Sequence, residues 1–344
     1  MTEQRKASRW AWFLFESGLT PGRAKQLLAD WSELGLTLET VLDKLPAQAR
    51  EFGLTPSEAA QLAQRGKMDV KALTWDDIRY PQGLLSLPLK LRPALLFYEG
   101  DSALLDRTLV YLVPAELPSD EDREMLRETI SLVLGEHLLL GVYQDSAQAL
   151  MLFEEMTYTE GEALLFASTG LAARSISDVA QALVDAGRLL VISPLAPDVG
   201  YRPAWEPILR EVAATAADRL LVTGEAARHP AAVIGLGHEP ALAISGEVPA
   251  PPVPDNVQST TMPADALLWL DNLLAEAADL AAEPEDLAAE TSGAPTSAEE
   301  TKAEGLTEMP PGPPPSPEEI LTTLERGGKI PDVLRQRLLG DENT

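Results

Sequence analysis

Between residues 161 and 225 the apolar positions alternate between two rhythms, and the rest of the chain is arranged around that stretch. Glu162–Ala167 is a short, nearly unbroken apolar run, the mark of a strand covered on both faces. Ser168-Thr-Gly-Leu-Ala172 follows as a loop. Ser175, three residues before Asp178, reads as an N-cap, and the helix behind it puts Val179, Ala180, Leu183 and Val184 on one face. That helix is expected to stop at Gly187, a natural C′ residue. Arg188–Ser193 is the next strand. A loop with Pro194, Pro197, Gly200 and Pro203 leads to a helix whose stripe is Trp205, Ile208, Leu209 and Val212, and Arg219–Thr223 closes the unit. Strand–helix–strand at this spacing predicts right-handed parallel crossovers, with ligands expected at the carboxyl ends of the strands.

The same reading extends outward. Thr108–Val113 and His137–Val142 are strands, with a helix capped by Ser119 between them. Leu126, Ile130 and Val133 form its buried face, and Asp120, Glu121 and Asp122 complement its dipole. Residues 145–157 form another helix, and Ala241–Gly246 another strand. Residues 1–66 read as a helical domain of helix-hairpin-helix or SAM-like type. Gly18-Leu-Thr-Pro21 and Gly53-Leu-Thr-Pro56 are two copies of one helix start, threonine as N-cap and proline at N1. Such a hairpin can turn amides towards a phosphate, and Arg23 and Lys25 accompany the first copy; it is equally an ordinary helix start used twice.

Beyond Gly246 the pattern changes. Val248–Pro254 is a stiff connector, and residues 263–280 read as one more helix, with Leu267, Leu268, Leu270, Leu273 and Leu274. Residues 281–316 are rich in Ala, Glu, Pro, Ser and Thr and bury too little apolar surface to fold, so they read as a disordered acidic linker. A capping box at Ser316–Glu319 then opens a short helical pair over 317–340, a candidate docking element for a partner protein or for the chain's own core. The fold class expected is α/β: a Rossmann-like parallel sheet over 70–260, with an N-terminal helical domain and a disordered acidic C-terminal tail.

Charge narrows the function. The net charge of −27 is uneven: residues 1–100 are nearly neutral, residues 101–250 carry 23 acidic and 9 basic side chains, and residues 251–300 hold 11 acids and no base. That balance disfavours a broad nucleic-acid surface and leaves room only for a local basic site. The chain has no cysteine, which excludes disulfides and thiolate chemistry and fits a reducing, cytoplasmic setting. The apolar run at Trp10–Phe15 is too short for a signal-peptide core, and no run reaches a membrane span. His137, His229 and His238 lack metal-ligand spacing, Glu154-Glu155 reads as a solvated helix face, and no nucleophile elbow or P-loop occurs. No metal, cofactor or enzymatic activity is expected.

Asp76–Gly100 resembles the start of the core domain in the DNA-processing protein A (DprA, also called Smf) family. Tyr80-Pro81, Leu84 or Leu85, Pro88 or Pro93, and a leucine-rich strand ending at Gly100 fill that family's places. The later segments follow in the family's order: Leu164–Gly170, Gly187–Ser193, the aromatic-plus-arginine helix Trp205–Arg210, and Ala241–Gly246. The chain departs where that family carries phosphate-contacting motifs. Val113-Pro-Ala115 stands for Gly-Ser-Arg, Gly141–Asp145 for a longer Ser-Gly loop, and Ile208-Leu-Arg210 for Arg-Asn-Arg; Gly224–Arg228 replaces a further Ser-Gly loop.

The resemblance implies single-stranded DNA binding, loading of a recombinase onto DNA during natural transformation or recombination, and a homodimer. The alternative is an adaptor or a sensor of a small, nucleotide-like ligand on the same scaffold. Candidate phosphate-binding residues are Arg210, Arg202, Ser168, Thr169, Gly170, Arg174 and Ser193, besides Arg23 and Lys25. Each has a plain structural reading too: Ser168, Thr169 and Gly170 are what a tight turn needs, and Arg202 and Arg210 have Glu206 and Glu211 as possible partners.

Overall fold

The computed structural model describes residues 3–117, 119–134, 138–228, 241–245, 255–270 and 272. The connector 246–254, residues 273–280, the acidic linker 281–316, the helical pair 317–340 and all three histidines lie outside the described residues.

Four helices come first: α1 (Glu3–Phe15), α2 (Pro21–Glu33), α3 (Leu38–Lys44) and α4 (Pro56–Leu62). Both repeated phrases start helices. The Thr20 hydroxyl accepts from the Arg23 amide, and Thr55 with Glu58 forms a complete capping box. The two copies also meet: the Arg23 guanidinium donates to Glu58 (3.1 Å) and to the Gly53 carbonyl (2.6 Å). Trp31, buried, donates its indole N–H to the Phe52 carbonyl.

A nine-stranded sheet follows: β1 (Ala72–Thr74), β2 (Leu95–Glu99), β3 (Leu109–Leu112), β4 (Leu139–Tyr143), β5 (Glu162–Phe166), β6 (Leu189–Ser193), β7 (Arg219–Val222), β8 (Ala241–Ile244) and β9 (Val257–Thr260). Its order is β1-β2-β6-β5-β4-β3-β7-β8-β9. The seven strands from β6 to β9 are parallel, and β1 and β2 add antiparallel at the β6 edge. The fold is therefore α/β and Rossmann-like, with two antiparallel edge strands that periodicity alone does not reveal. β7, expected to close the unit begun by β5 and β6, does not pair with β6. It lies beyond β3, so the strand order reverses between β3 and β7.

Both faces of the sheet are covered, which explains the continuous apolar runs. One face packs Val110, Leu140, Leu165 and Leu221 against α5 (Asp120–Leu134), α6 (Ala147–Glu155), α7 (Asp178–Asp185) and the helical residues 265–270. The other packs Tyr111, Tyr143, Phe166 and Ile192 against α8 (Glu206–Ala216) in a core continuous with that of α1–α4. Trp10 meets Trp75 edge-on at 5.5 Å, and Phe15 meets Phe97 at 6.0 Å. Among the described residues no helix is long and apolar enough to cross a membrane.

Three local expectations need correction. The N-cap of α7 is Ser177, which accepts from the Ala180 amide at 3.2 Å; the Ser175 carbonyl instead accepts from the Gln144 side chain. Val179 and Ile208 are exposed, so the stripes of α7 and α8 are narrower than their apolar content suggests. Leu268 is exposed as well, and the last described helix buries Ala266, Trp269 and Leu270. The sequence pattern does not mark β1, α9 (Gly224–Arg228) or β9.

Candidate functional site

In an open α/β sheet the ligand crevice lies at the carboxyl ends of the strands where their order reverses. Here that place is between β3 and β7, and its two loops fill it. Gly224, with φ +63°, sits so close to the Glu116 carbonyl that a Cβ would stand 2.4 Å from it, and the Glu225 amide donates to that same oxygen. Gln148, buried on α6, donates to the Ala115 carbonyl. The start of α5 is occupied by its own acid. Asp122 accepts from the amide and hydroxyl of Ser119 and pairs with Arg228 at 2.9 Å. Burial alone would raise the Asp122 carboxyl, but those hydrogen bonds and Arg228 outweigh it and hold the group below its ordinary range. A helix N-terminus bearing Asp120, Glu121 and Asp122 has its positive end already compensated. The switch point is thus closed by its own loops.

The next loop, after β5, is also turned inward. The Ser168 amide donates to Gln144 (3.1 Å), and the Gly170 amide donates to the Val199 carbonyl (2.7 Å). Gly170 is required by contact: a Cβ there would lie 2.0 Å from the Ala196 carbonyl oxygen. The Thr169 hydroxyl reaches the Gly170 carbonyl, and the buried Ser193 hydroxyl donates to the Thr169 carbonyl while accepting from the Leu195 amide. Arg174 is nine-tenths buried. It pairs with Glu99 at 2.6 Å and donates to the Leu171 carbonyl, tying the loop to the end of β2. The hydrogen bond from Arg174 holds the Glu99 carboxyl below its usual range. These five residues come together in one inward-turned network, in which the Arg174 Nε is a buried donor without a partner among the described residues.

The approach to α8 differs. Arg202 lies over the Trp205 ring, 4.5 Å from its centroid, and Arg210 lies over Tyr143 at 5.5 Å. Tyr201 is half exposed, and its hydroxyl donates to Glu206 at 2.6 Å; Glu206 also pairs with Arg210. The hydrogen bond from Tyr201, and then Arg210, lower the Glu206 carboxyl, and the same hydrogen bond raises the Tyr201 phenol. Beneath them the hydroxyls of Tyr111 and Tyr143 are buried with no hydrogen-bond partner among the described residues. Burial pushes both phenols well above their ordinary range, so both remain neutral donors. Two guanidiniums stacked on aromatic rings, beside an exposed tyrosine, present charge and flat apolar surface together. Their place on either side of the α8 start singles out the arginines in the sequence; the rings of Tyr143 and Tyr201 are not singled out there, although the Tyr201-Arg202 pair is a signal for them.

In the N-terminal helices, Arg23 is held by Glu58 and Gly53 as described. Lys25 donates to the Lys90 carbonyl at 3.1 Å, and burial followed by the nearby Arg92 lowers its ammonium pKa. Lys25 lines a groove with Ile208, Leu209 and Val212 of α8, whereas Arg23 is turned to Glu58 and Gly53. Among the described residues no three His, Asp or Glu side chains converge as a metal site.

No protein-family profile matches the chain, and no curated protein sequence does. Among solved structures, the fold is similar to DNA processing protein A (DprA) from Streptococcus pneumoniae, with a TM-score of 0.52 and 18% identity over 75% of this chain and 95% of that one. A structure of DNA processing protein A from Helicobacter pylori, concerned with its single-stranded DNA binding mode, matches with a TM-score of 0.44 and 12% identity over 60% of this chain and 97% of that one. The chain has a DprA-like fold.

Proposed function

We propose that this chain binds single-stranded DNA on the surface where α8 begins, with Arg202 and Arg210 as phosphate contacts and Tyr201 and Trp205 as stacking partners for bases. The observation that carries the reading is the pair of arginine–aromatic stacks, Arg202 on Trp205 and Arg210 on Tyr143. Single strands are held without sequence preference by aromatic platforms and adjacent cations, since every base has a π face and every linkage a charge. Guanidinium suits both tasks, being planar and bidentate towards phosphate. The DprA-like fold and the resemblance at Asp76–Gly100 support nucleic acid as the ligand class. Loading of a recombinase, a role in DNA uptake or recombination, and a homodimeric assembly rest on that resemblance and belong to the same proposal.

Binding is expected to be weak. Glu206 and Asp145 stand beside Tyr143, and residues 101–250 are strongly acidic. The remaining candidates, Ser168, Thr169, Gly170, Arg174 and Ser193, support the site by holding the loops beside it, and Arg23 with Lys25 is the fallback contact. A fluorescence-anisotropy titration with a labelled single-stranded oligonucleotide at two salt concentrations tests the reading. Saturable, salt-sensitive binding that Arg202→Ala with Arg210→Ala removes supports it. Binding unchanged in that double variant moves the site to Arg23 and Lys25. No binding at low salt leaves the second reading, an adaptor or small-ligand sensor, which the closed β3–β7 crevice favours.

A further inference from the structure

One groove of this acidic chain holds no acid. It lies between the α1–α2 turn, residues 89–95 and α8, and encloses about 590 Å³. Phe15, Leu89, Leu91, Leu195, Ile208 and Leu209 give it an apolar lining, and Lys25, Lys90 and Arg92 are its charged members. No aspartate or glutamate lines it, in a chain of net charge −27. Among the described residues no carboxylate pairs with any of these three cations.

The cations are held close together. The Lys25 ammonium donates to the Lys90 carbonyl at 3.1 Å, and Arg92 spends its Nε and one terminal nitrogen on the Leu87 carbonyl. Two ammonium protons of Lys25 and the other terminal nitrogen of Arg92 have no protein acceptor among the described residues. Both side chains are half-buried, so their mutual repulsion is incompletely screened, which is why burial and then Arg92 lower the Lys25 ammonium. Like charges gathered in partly desolvated surroundings favour an anion beside them. The segment carrying Arg92 is fixed in place: the buried Tyr80 hydroxyl donates to the Pro93 carbonyl at 2.6 Å. The apolar lining is unfinished as well. Phe15 and Ile208 are exposed, and Ile208 belongs to the α8 stripe whose periodicity calls for a cover.

We propose that this groove binds a small organic anion with one carboxylate and an apolar body. The carboxylate meets Lys25 and Arg92, and the body lies along Phe15, Ile208 and Leu209. A charged head alone would leave the apolar lining wet, and an apolar molecule alone would leave the two cations opposed. A ligand with both parts satisfies both. The volume falls within the range of about 300–1,000 Å³ usual for small-molecule sites. The groove also lies where the N-terminal helices meet a helix of the sheet, the kind of junction at which such sites gather.

Ligand-observed NMR titrations of the full chain with octanoate, 1-octanol and acetate test this. Octanoate is expected to bind about tenfold or more tightly than either of the others. Lys25→Gln and Arg92→Gln should each weaken octanoate about fivefold or more while leaving 1-octanol unchanged, a split that a merely structural change would not give. Ile208→Ser, at an exposed position, should weaken both. Should Arg92→Gln fail to fold, Lys25→Gln decides alone. An excess of single-stranded oligonucleotide should leave octanoate bound, so this groove and the proposed DNA surface are separable. Absence of octanoate binding, equal binding of octanoate and 1-octanol, or unchanged affinity in a folded Lys25→Gln variant overturns the proposal. Displacement by the oligonucleotide does so too, since the groove would then be part of a nucleic-acid surface. So does a dimer in sedimentation velocity that Ile208→Ser dissociates, which would make the groove an interface between copies of the chain.

Discussion

The loops after β3, β5 and β7 and the segment leading into α8 all lie after parallel strands of the one sheet, yet they treat arginine in opposite ways. In the first group Arg174 and Arg228 are drawn inside and paired with Glu99 and Asp122. In the second, Arg202 and Arg210 lie on aromatic rings near the surface. A guanidinium buried against a carboxylate holds loops together and has little left for a ligand. One stacked on a ring has its face covered and its edge left for polar partners, which Arg210 meets in the exposed Glu206. Counting arginines near strand ends therefore does not count phosphate contacts. The usual crevice of this architecture has become a structural joint, and any DNA binding falls to its neighbour.

The largest expected effect comes from breaking the joint. Asp122→Ala removes the partner of Arg228 and the acid that caps α5, and should cost about 3 kcal/mol of stability, measured by urea unfolding. A loss below about 1 kcal/mol would mean that the crevice is merely covered, not tied. The joint is also acid-sensitive. The folded Asp122 carboxyl titrates below its unfolded value of 3.8, so its contribution is complete above that pH and is lost as the pH falls through the depressed folded value. Unfolding midpoints measured from neutral pH downward should fall below that value for the unaltered chain, and less steeply in Asp122→Asn.

Next in size is the contrast itself. Arg202→Ala with Arg210→Ala should lower single-stranded DNA affinity about tenfold or more and reduce the salt slope by roughly 1.4, two phosphate contacts at about 0.7 each. Arg174→Gln should destabilise the fold while leaving the salt slope alone. Equal effects of the two changes on the slope would erase the distinction between the regions.

Much of this was legible in advance. Both Gly-Leu-Thr-Pro phrases start helices because threonine, proline and a following polar turn satisfy amides locally. The buried strands are legible because a sheet covered on two faces needs unbroken apolar runs. What escaped depends on partners distant in sequence. Leu95–Glu99 reads as a strand, but its antiparallel pairing with β6 across some ninety residues has no local signature. Ser175 and Ser177 both fit an N-cap, and only the pull of Gln144 on the Ser175 carbonyl decides between them. Arg174 looks like a ligand contact until Glu99 is seen beside it. The site was half legible for the same reason: Arg202 and Arg210 could be named, but the rings that set their orientation come partly from β4.

The smallest expected effect probes the proposed DNA surface at its acidic member. Glu206 accepts from Tyr201 and pairs with Arg210, so it both orders the surface and offsets its charge. In Glu206→Gln the side chain keeps its length and can still accept from Tyr201, while one negative charge leaves and Arg210 gains freedom to meet a phosphate. Exposed pairs of this kind are worth about 1 kcal/mol or less, so single-stranded DNA should bind roughly two- to fivefold more tightly, with the gain shrinking as salt is raised. Lowering the pH should act in the same direction. The Glu206 carboxyl is held below its ordinary 4.5, so protonation in the folded chain begins only beneath that value, and the pH-dependent gain should be missing from Glu206→Gln. Weaker binding in Glu206→Gln would mean that the carboxylate is needed to aim Tyr201 and Arg210, and that order at this surface outweighs its charge.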